Sequence, residues 1–221
     1  MREVQDHWFR EAKRQGFRSR AAFKLIEIDD RRRILRKGDV VLDAGAAPGS
    51  WCQVAAKKVG ARGRVVGIDL KPIERGDLPP EVDLIEGDLR SYDPAASGIE
   101  HFDVVLSDMA PDTTGDPFGD HHRSIRLCHE LLDRCSTWLR PGGNLVLKVF
   151  EGGAYRDLLD RMSKRFGTSK GFKPKASRSE SVEMFVFGID HDPKGDLAGA
   201  DDQDEPALPP RRRPPSPGWN R

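Results

Sequence analysis

At 221 residues, with 37% hydrophobic residues and a mean hydropathy of −0.62, the chain can bury the core of one sizeable domain plus a tail. No run approaches the length of a membrane span and no apolar signal segment follows Met1, so a cytoplasmic protein without membrane partners is expected. The net charge of +1 hides an uneven distribution: residues 1–38 carry 12 Lys/Arg against 6 Asp/Glu and residues 161–180 carry 7 against 1, leaving residues 39–160 acidic. Two basic segments flanking an acidic half suit a polyanion laid across one face, although a solvated surface is the usual fate of charge runs.

Taken in order, residues 6–15 read as a short helix ending at Gly16. Phe17-Arg18-Ser19-Arg20 then leads into a second helix over residues 21–29, with Phe23, Leu25 and Ile26 on its apolar side and Ser19 as its N-cap. Arg18, Arg20 and Lys24 come close together at that helix start. Val40-Val41-Leu42 forms a strand whose end opens into a helix over residues 51–59. Residues 64–69, 82–86, 102–107 and 144–149 are expected as buried strands, with helices over residues 121–139 and 153–166. Pro141-Gly142-Gly143 is read as the turn into residues 144–149, and residues 182–189 as a last strand. Strands alternating with helices predict a mostly parallel α/β sheet covered on both faces. The domain is expected to end at Asp190, since residues 191–221 hold seven prolines and few core residues and read as a disordered tail.

The chain is organised around Val40-Val41-Leu42-Asp43-Ala44-Gly45-Ala46-Ala47-Pro48-Gly49-Ser50-Trp51. An apolar strand ending in Asp-x-Gly and opening into a helix is how an open α/β sheet presents a ligand crevice. A dinucleotide site wants G-x-G-x-x-G to cradle a pyrophosphate. Here only Gly45 and Gly49 are present, and Pro48 has no N–H to donate. Asp69 ends the second strand and Asp88 follows the third, so one acid can take ribose hydroxyls and the other an adenine amine. Sugar and base without phosphate point to S-adenosylmethionine as cofactor. The bland alternative makes these acids ordinary strand ends and caps, against which three matching ends in register weigh.

Three further charged residues call for partners. Asp108 stands in Ser107-Asp108-Met109-Ala110-Pro111, Lys148 in Leu147-Lys148-Val149-Phe150, and Glu183 in Val182-Glu183-Met184-Phe185. A charge inside an apolar strand costs several kcal/mol, roughly, unless paired, so Lys148 needs carboxylates nearby. Otherwise it snorkels to solvent, and Glu183 is simply an exposed strand position. Cys52, Cys128 and Cys135 lack CxxC spacing and are read as buried free thiols; His121-His122 are read as surface residues, and no metal is expected.

These motifs together resemble the FtsJ/RrmJ family of ribosomal RNA ribose 2′-O-methyltransferases. Residues 18–25 resemble its opening helix, 43–51 its cofactor loop, 107–111 its post-strand motif, 147–150 its catalytic strand, and 177–183 the segment carrying its last acid. The likeness spans roughly residues 6–189. It implies a Rossmann-like, S-adenosylmethionine-dependent methyltransferase with a seven-stranded, mostly parallel sheet and a catalytic tetrad of Lys24, Asp108, Lys148 and Glu183. Cofactor contacts carry over to Gly45, Ala47, Pro48, Gly49, Trp51, Asp69, Asp88, Leu89 and Asp108. Arg18, Arg20 and Arg178 are the candidates for RNA phosphates. The implied substrate is a uridine of large-subunit rRNA, on an assembled or nearly assembled subunit, with transfer RNA as runner-up; a monomer is expected. The chain departs from the family in having Ser50 where members often have glycine, and Asp112 where they often have asparagine.

On that resemblance Lys148 removes the proton of a ribose 2′-hydroxyl or orients its lone pair. A second ammonium and partial desolvation favour the neutral amine, and two carboxylates favour the ammonium. Rival classes are a nicotinamide-dependent oxidoreductase, opposed by Pro48 and the missing middle glycine, and an RNA-binding protein without catalysis, opposed by the intact tetrad.

Overall fold

Each apolar run in the first two thirds of the chain becomes a parallel strand in the computed structural model, which describes residues 2–177 and 181–196. The strands are β1 (Val40–Ala44), β2 (Arg64–Asp69), β3 (Val82–Glu86), β4 (Phe102–Ser107), β5 (Leu139–Phe150), β6 (Phe166–Phe172) and β7 (Glu183–His191). They form one sheet in the order β3-β2-β1-β4-β5-β7-β6, and β7 runs antiparallel to both its neighbours. The helices are α1 (Arg2–Arg14), α2 (Ala21–Arg32), α3 (Ser50–Val59), α4 (Pro117–Trp138) and α5 (Tyr155–Arg165).

Alternation along the strands builds two cores. Val41, Val65, Val104, Leu106, Val146, Phe185 and Phe187 pack with α2 and α3. Leu42, Val66, Val105, Leu145, Leu147 and Val186 face α4 and α5 on the other side. Burial of each large side chain contributes about 1.5–3 kcal/mol, so the central strands, apolar on both faces, anchor the domain. The cysteines are free and buried; burial pushes the Cys128 thiol up to about 12.

Where structure and expectation differ, the causes are local. The seventh strand, β6, has no element in the sequence reading: Phe166-Gly167-Thr168-Ser169-Lys170-Gly171-Phe172 lies at the sheet edge, mostly exposed, and so carries no hydrophobic run. Pro141-Gly142-Gly143 is not a turn before β5 but a bulge within it, with register slipping between Phe102 and Val104 and Gly142 at φ 72°. Helix α4 begins four residues before its expected start, because Asp116 accepts the N–H groups of Phe118 and Gly119 and Pro117 occupies the first turn. The α2 N-cap is Arg20, not Ser19, although the Ser19 hydroxyl still accepts the Ala21 N–H at 3.2 Å.

His121 is buried rather than on the surface. Its Nδ1 bonds the Phe150 carbonyl at 2.8 Å and its Nε2 accepts the Ala154 N–H at 3.0 Å, so it ties the end of β5 to the following loop. Past Asp190 the fold continues: His191 is buried against Phe166, and a 3-10 turn over Pro193–Asp196 meets α5. The rest of the expected tail lies outside the described residues.

Candidate active site

In an open α/β sheet a ligand binds outside the carboxyl ends of the strands, here those of β1, β2 and β4 with the loop after β1 beneath them. Gly45 and Ala46 donate to the Ile68 carbonyl at 2.9 and 3.2 Å, and Ala47 donates to Asp69 Oδ2 at 2.9 Å. Gly45 has φ +75°, and a Cβ there would come within 2.6 Å of the Met109 side chain, so only glycine lets this loop approach the segment after β4. Ser50 opens α3 outside the positive-φ region, so the departure from glycine costs no backbone strain; its hydroxyl meets Ser19 Oγ at 2.8 Å.

Asp69 stands at the tip of β2. Its Oδ1 accepts the Lys71 N–H at 2.9 Å while Oδ2 holds Ala47, which leaves a free lone pair on each oxygen for a diol. Leu70 beside it is exposed. Asp88 caps the 3-10 turn after β3 and binds the Arg90 guanidinium, which holds its carboxyl down at about 2. Leu89, next to it, packs partly buried on the α4 face.

Among the described residues, two buried carboxylate oxygens lack hydrogen-bond partners, Asp43 Oδ1 and Asp108 Oδ1. Asp43 is fully buried, with Oδ2 accepting the Cys52 thiol at 3.1 Å. Burial, aided by the charges of Asp108 and Asp69, pushes its carboxyl up to about 7. Asp43, absent from the expected contacts, carries the same signal in the sequence as Lys148: a charge inside an apolar strand. Underpaired acids at the ends of β1 and β4, a diol-accepting acid on β2 and a phosphate-averse loop fit the cationic methionine end and the adenosine end of S-adenosylmethionine.

Two of the expected contact residues have side-chain partners within the chain. Trp51 is a core residue: its ring lies 5.7 Å from that of Phe185, and its indole N–H donates to the Ala21 carbonyl at 2.8 Å. Arg18 is not open to a phosphate, because all five of its guanidinium N–H groups have partners in the chain. Nη1 donates to the carbonyls of Pro48 and Glu74 at 2.9 and 2.5 Å, Nη2 to the Arg75 carbonyl and Asp77 Oδ1 at 2.7 and 3.1 Å, and Nε to Asp77 Oδ1 at 3.2 Å. Arg20 is half-buried at the start of α2. Arg178 lies outside the described residues.

The four charged candidates converge. Lys148 points to the same face of the sheet as Val146, and Glu183 to the same face as Phe185 and Phe187; α2 crosses that face and brings Lys24 down, 5.6 Å above the Phe185 ring. Lys24 Nζ donates to Glu183 Oε2 at 2.7 Å. Lys148 Nζ lies 4.0 Å from Glu183 Oε1 and 3.1 Å from Asp108 Oδ1. Its hydrogen bond goes to the Asp108 backbone carbonyl, so Asp108 Oδ1 neutralises it by proximity without an aligned bond. Both amines are nearly buried, at 8% and 7% side-chain exposure, which makes the acids necessary to their charge. Burial raises the Glu183 carboxyl, but the charge of Lys24 and its hydrogen bond, with Lys148 behind them, outweigh it and leave the group below the usual range. From the opposite face the Cys128 thiol donates to the Lys148 carbonyl at 3.1 Å.

A parallel sheet continued by one antiparallel strand, with a phosphate-averse crevice beside paired amines and acids, defines a Rossmann-like methyltransferase. Residues 17–191 match the model of the FtsJ-like methyltransferases, and the chain belongs to that family. It is accordingly an S-adenosylmethionine-dependent methyltransferase. It is 46% identical over 189 residues to the ribosomal RNA large subunit methyltransferase E of Syntrophobacter fumaroxidans, covering 84% of this chain and 95% of that one. Its identity to the enzyme of the same name from Azoarcus is 43%, over 85% of this chain and 92% of that one. Among solved structures, a ribosomal RNA methyltransferase of Plasmodium falciparum superposes with a TM-score of 0.69 at 27% identity, over 79% of this chain and 98% of that one. The fold also matches Aeropyrum pernix fibrillarin, with a TM-score of 0.51 at 17% identity, over 71% of this chain and 68% of that one.

Proposed function

We propose that this protein methylates a ribose 2′-hydroxyl of ribosomal RNA, on a uridine of the large subunit, as a cytoplasmic monomer acting on an assembled or nearly assembled subunit. The observation that carries the reading is the convergence of two amines and two acids from α2, β5, β7 and the segment after β4. Relatives named for ribosomal RNA of the large subunit support the choice of RNA.

Bound S-adenosylmethionine supplies a methyl group already activated by its sulfonium. The chain supplies alignment and one proton transfer. Lys148, between Asp108 and Glu183, meets the 2′-hydroxyl: as amine it takes the proton, and as ammonium it turns the oxygen lone pair towards the methyl carbon and stabilises the developing negative charge while the proton passes to water. Lys24 and Glu183, bonded to each other, frame the ribose. Asp108 anchors Lys148 through its backbone carbonyl and borders the methyl donor with its carboxylate. In this arrangement no metal is called for.

The test is to map ribose methylation on ribosomal and transfer RNA from cells lacking the protein, then supply wild type or Lys148→Ala. Loss of one 2′-O-methyl mark on large-subunit RNA, restored only by wild type, is the expected result. A mark lost from transfer RNA instead would move the substrate, and no lost mark would remove the function.

A further inference from the structure

The segment leading into α2 is stitched to the cofactor loop far more thoroughly than chain continuity requires. The five guanidinium bonds of Arg18 reach Pro48 in the loop after β1, and Glu74, Arg75 and Asp77 in the connection after β2. Asp77 Oδ2 accepts the Gln53 side-chain amide at 2.8 Å, the same amide donates to the Gly16 carbonyl at 2.9 Å, and Gln53 Oε1 accepts the Arg18 N–H at 2.9 Å. Arg18, Asp77 and Gln53 therefore close a ring of bonds joining three separate stretches.

The backbone is shaped around that guanidinium. Gly49 and Gly76 both have positive φ, at 103° and 45°, and a Cβ at either would come within 2.9 and 2.7 Å of the Arg18 nitrogens. Ile73 and Leu78 flank Gly49 from the connection after β2. The planar fork matches several carbonyls and a carboxylate at fixed angles, which an ammonium with three donors cannot reproduce. Asp77, although exposed, is held below the usual carboxylate range chiefly by its bond to Arg18.

We propose that Arg18, with Asp77 and Gln53, is a positioning clasp that locks the loop after β1 to the connection after β2 and thereby forms one wall of the S-adenosylmethionine site. Arg18 then sets affinity for the nucleoside cofactor, not for RNA phosphate. The inference rests on the cofactor reading above and adds a residue to it. It also ties the cofactor loop to the helix that carries Lys24, six residues further along, so the donor and one side of the ribose frame share a mount.

The experiment is titration calorimetry of S-adenosylhomocysteine with wild type and Arg18→Lys, together with the salt dependence of binding to a large-subunit RNA transcript. The clasp predicts that Arg18→Lys weakens the Kd roughly tenfold, most of the loss of its fixed fork, while the slope of RNA affinity against salt stays as in wild type. The KM for S-adenosylmethionine should rise in step with the Kd. An unchanged Kd with a salt slope smaller by about one would restore Arg18 to the phosphates and overturn the proposal. A lowered Tm with unchanged Kd would also overturn it, by making the ring merely structural. Should Arg18→Lys fold poorly, Asp77→Asn keeps the shape of the ring without its charge and must still weaken the Kd severalfold. Failure of wild type itself to bind S-adenosylhomocysteine would instead strike the cofactor reading, before any variant is compared.

Discussion

The crevice is built in two manners on its two sides. On the cofactor side, at the ends of β1 and β2, positions are fixed mainly by bonds to backbone: Asp69 to two N–H groups, Arg18 to three carbonyls, Gly45 and Ala46 to one. On the substrate side, at β4, β5 and β7, four charged side chains hold one another, two amines against two acids. A backbone-bonded wall tolerates loss of one contact because its neighbours remain satisfied. A buried charge set does not, since each amine depends on particular acids for the offset of its desolvation. The cofactor side should therefore respond to mutation in affinity, and the substrate side in turnover.

The largest expected effect falls on the substrate side. Lys148→Ala removes the one group between both acids and should lower methyl transfer by on the order of 10³-fold, within the range for a lost proton-transfer or charge-stabilising residue. Cofactor affinity, measured by calorimetry, should stay within about threefold, because the cofactor wall does not lean on Lys148. Retained turnover would take Lys148 out of the chemistry; a matching collapse of affinity would dissolve the division between the two sides.

Asp43 tests the other side through pH. With its folded carboxyl raised to about 7 from an ordinary 3.8, the protein without cofactor holds a proton there that the unfolded chain has released. Its contribution therefore turns unfavourable as pH climbs from about 4 to 7, costing on the order of a few kcal/mol, and stays constant above that. A cation bound beside it favours the carboxylate. Cofactor Kd should weaken by up to about tenfold per pH unit below 7 and level off above it. In Asp43→Asn this pH dependence should vanish and affinity at pH 8 should fall, roughly tenfold or more, while Tm at pH 8 holds or rises. The same pH slope in the variant would mean another group governs binding.

How much of this was legible from the residues depends on whether a position announces itself by conflict with its surroundings. Strands β1 to β4 are legible directly from apolar runs, and Lys148 and Asp43 both stand out as charges in such runs. Strand β6 had no such contrast: an exposed edge of Gly, Thr, Ser and Lys has the composition of a loop, and only pairing with β7 makes it a strand. Arg18 was legible as a cation and illegible as a clasp, since its partners come from residues 48 and 74–77 and nothing local distinguishes a guanidinium facing carbonyls from one facing phosphate. The burial of His121 was illegible for the same reason, its partner being the end of β5. Resemblance carried the tetrad; the geometry explains why its two amines, nearly buried, depend on its two acids.

A smaller effect separates mutual dependence from simple contact. In a double-mutant cycle, Lys24→Met and Glu183→Gln should be coupled by roughly 1–3 kcal/mol in stability, as for residues sharing one network. Glu183 keeps 26% of its side chain exposed, so solvent screening places the value towards the lower end. The sign with pH follows from its lowered carboxyl: the contribution is fully present above the ordinary glutamate range and fades as pH falls through the folded value. A coupling indistinguishable from zero would show that Lys24 and Glu183 stand side by side without holding each other, and the contrast with the cofactor side would lose half its basis.

The smallest effect concerns Asp88, where a charge pair sits on the cofactor side. Asp88 and Arg90 are both solvent-exposed to a large degree, at 35% and 70%, so their bond contributes little to stability. If Asp88 takes an adenine amine, Arg90 competes with the ligand for the same oxygens. Arg90→Ala should leave Tm unchanged and tighten the S-adenosylhomocysteine Kd by about twofold, whereas Asp88→Ala weakens it by roughly fivefold, the scale of one lost hydrogen bond. Weaker binding on removal of Arg90 would instead make the arginine an aligning partner of the acid, and this corner of the wall would then depend on charge pairing as the tetrad does.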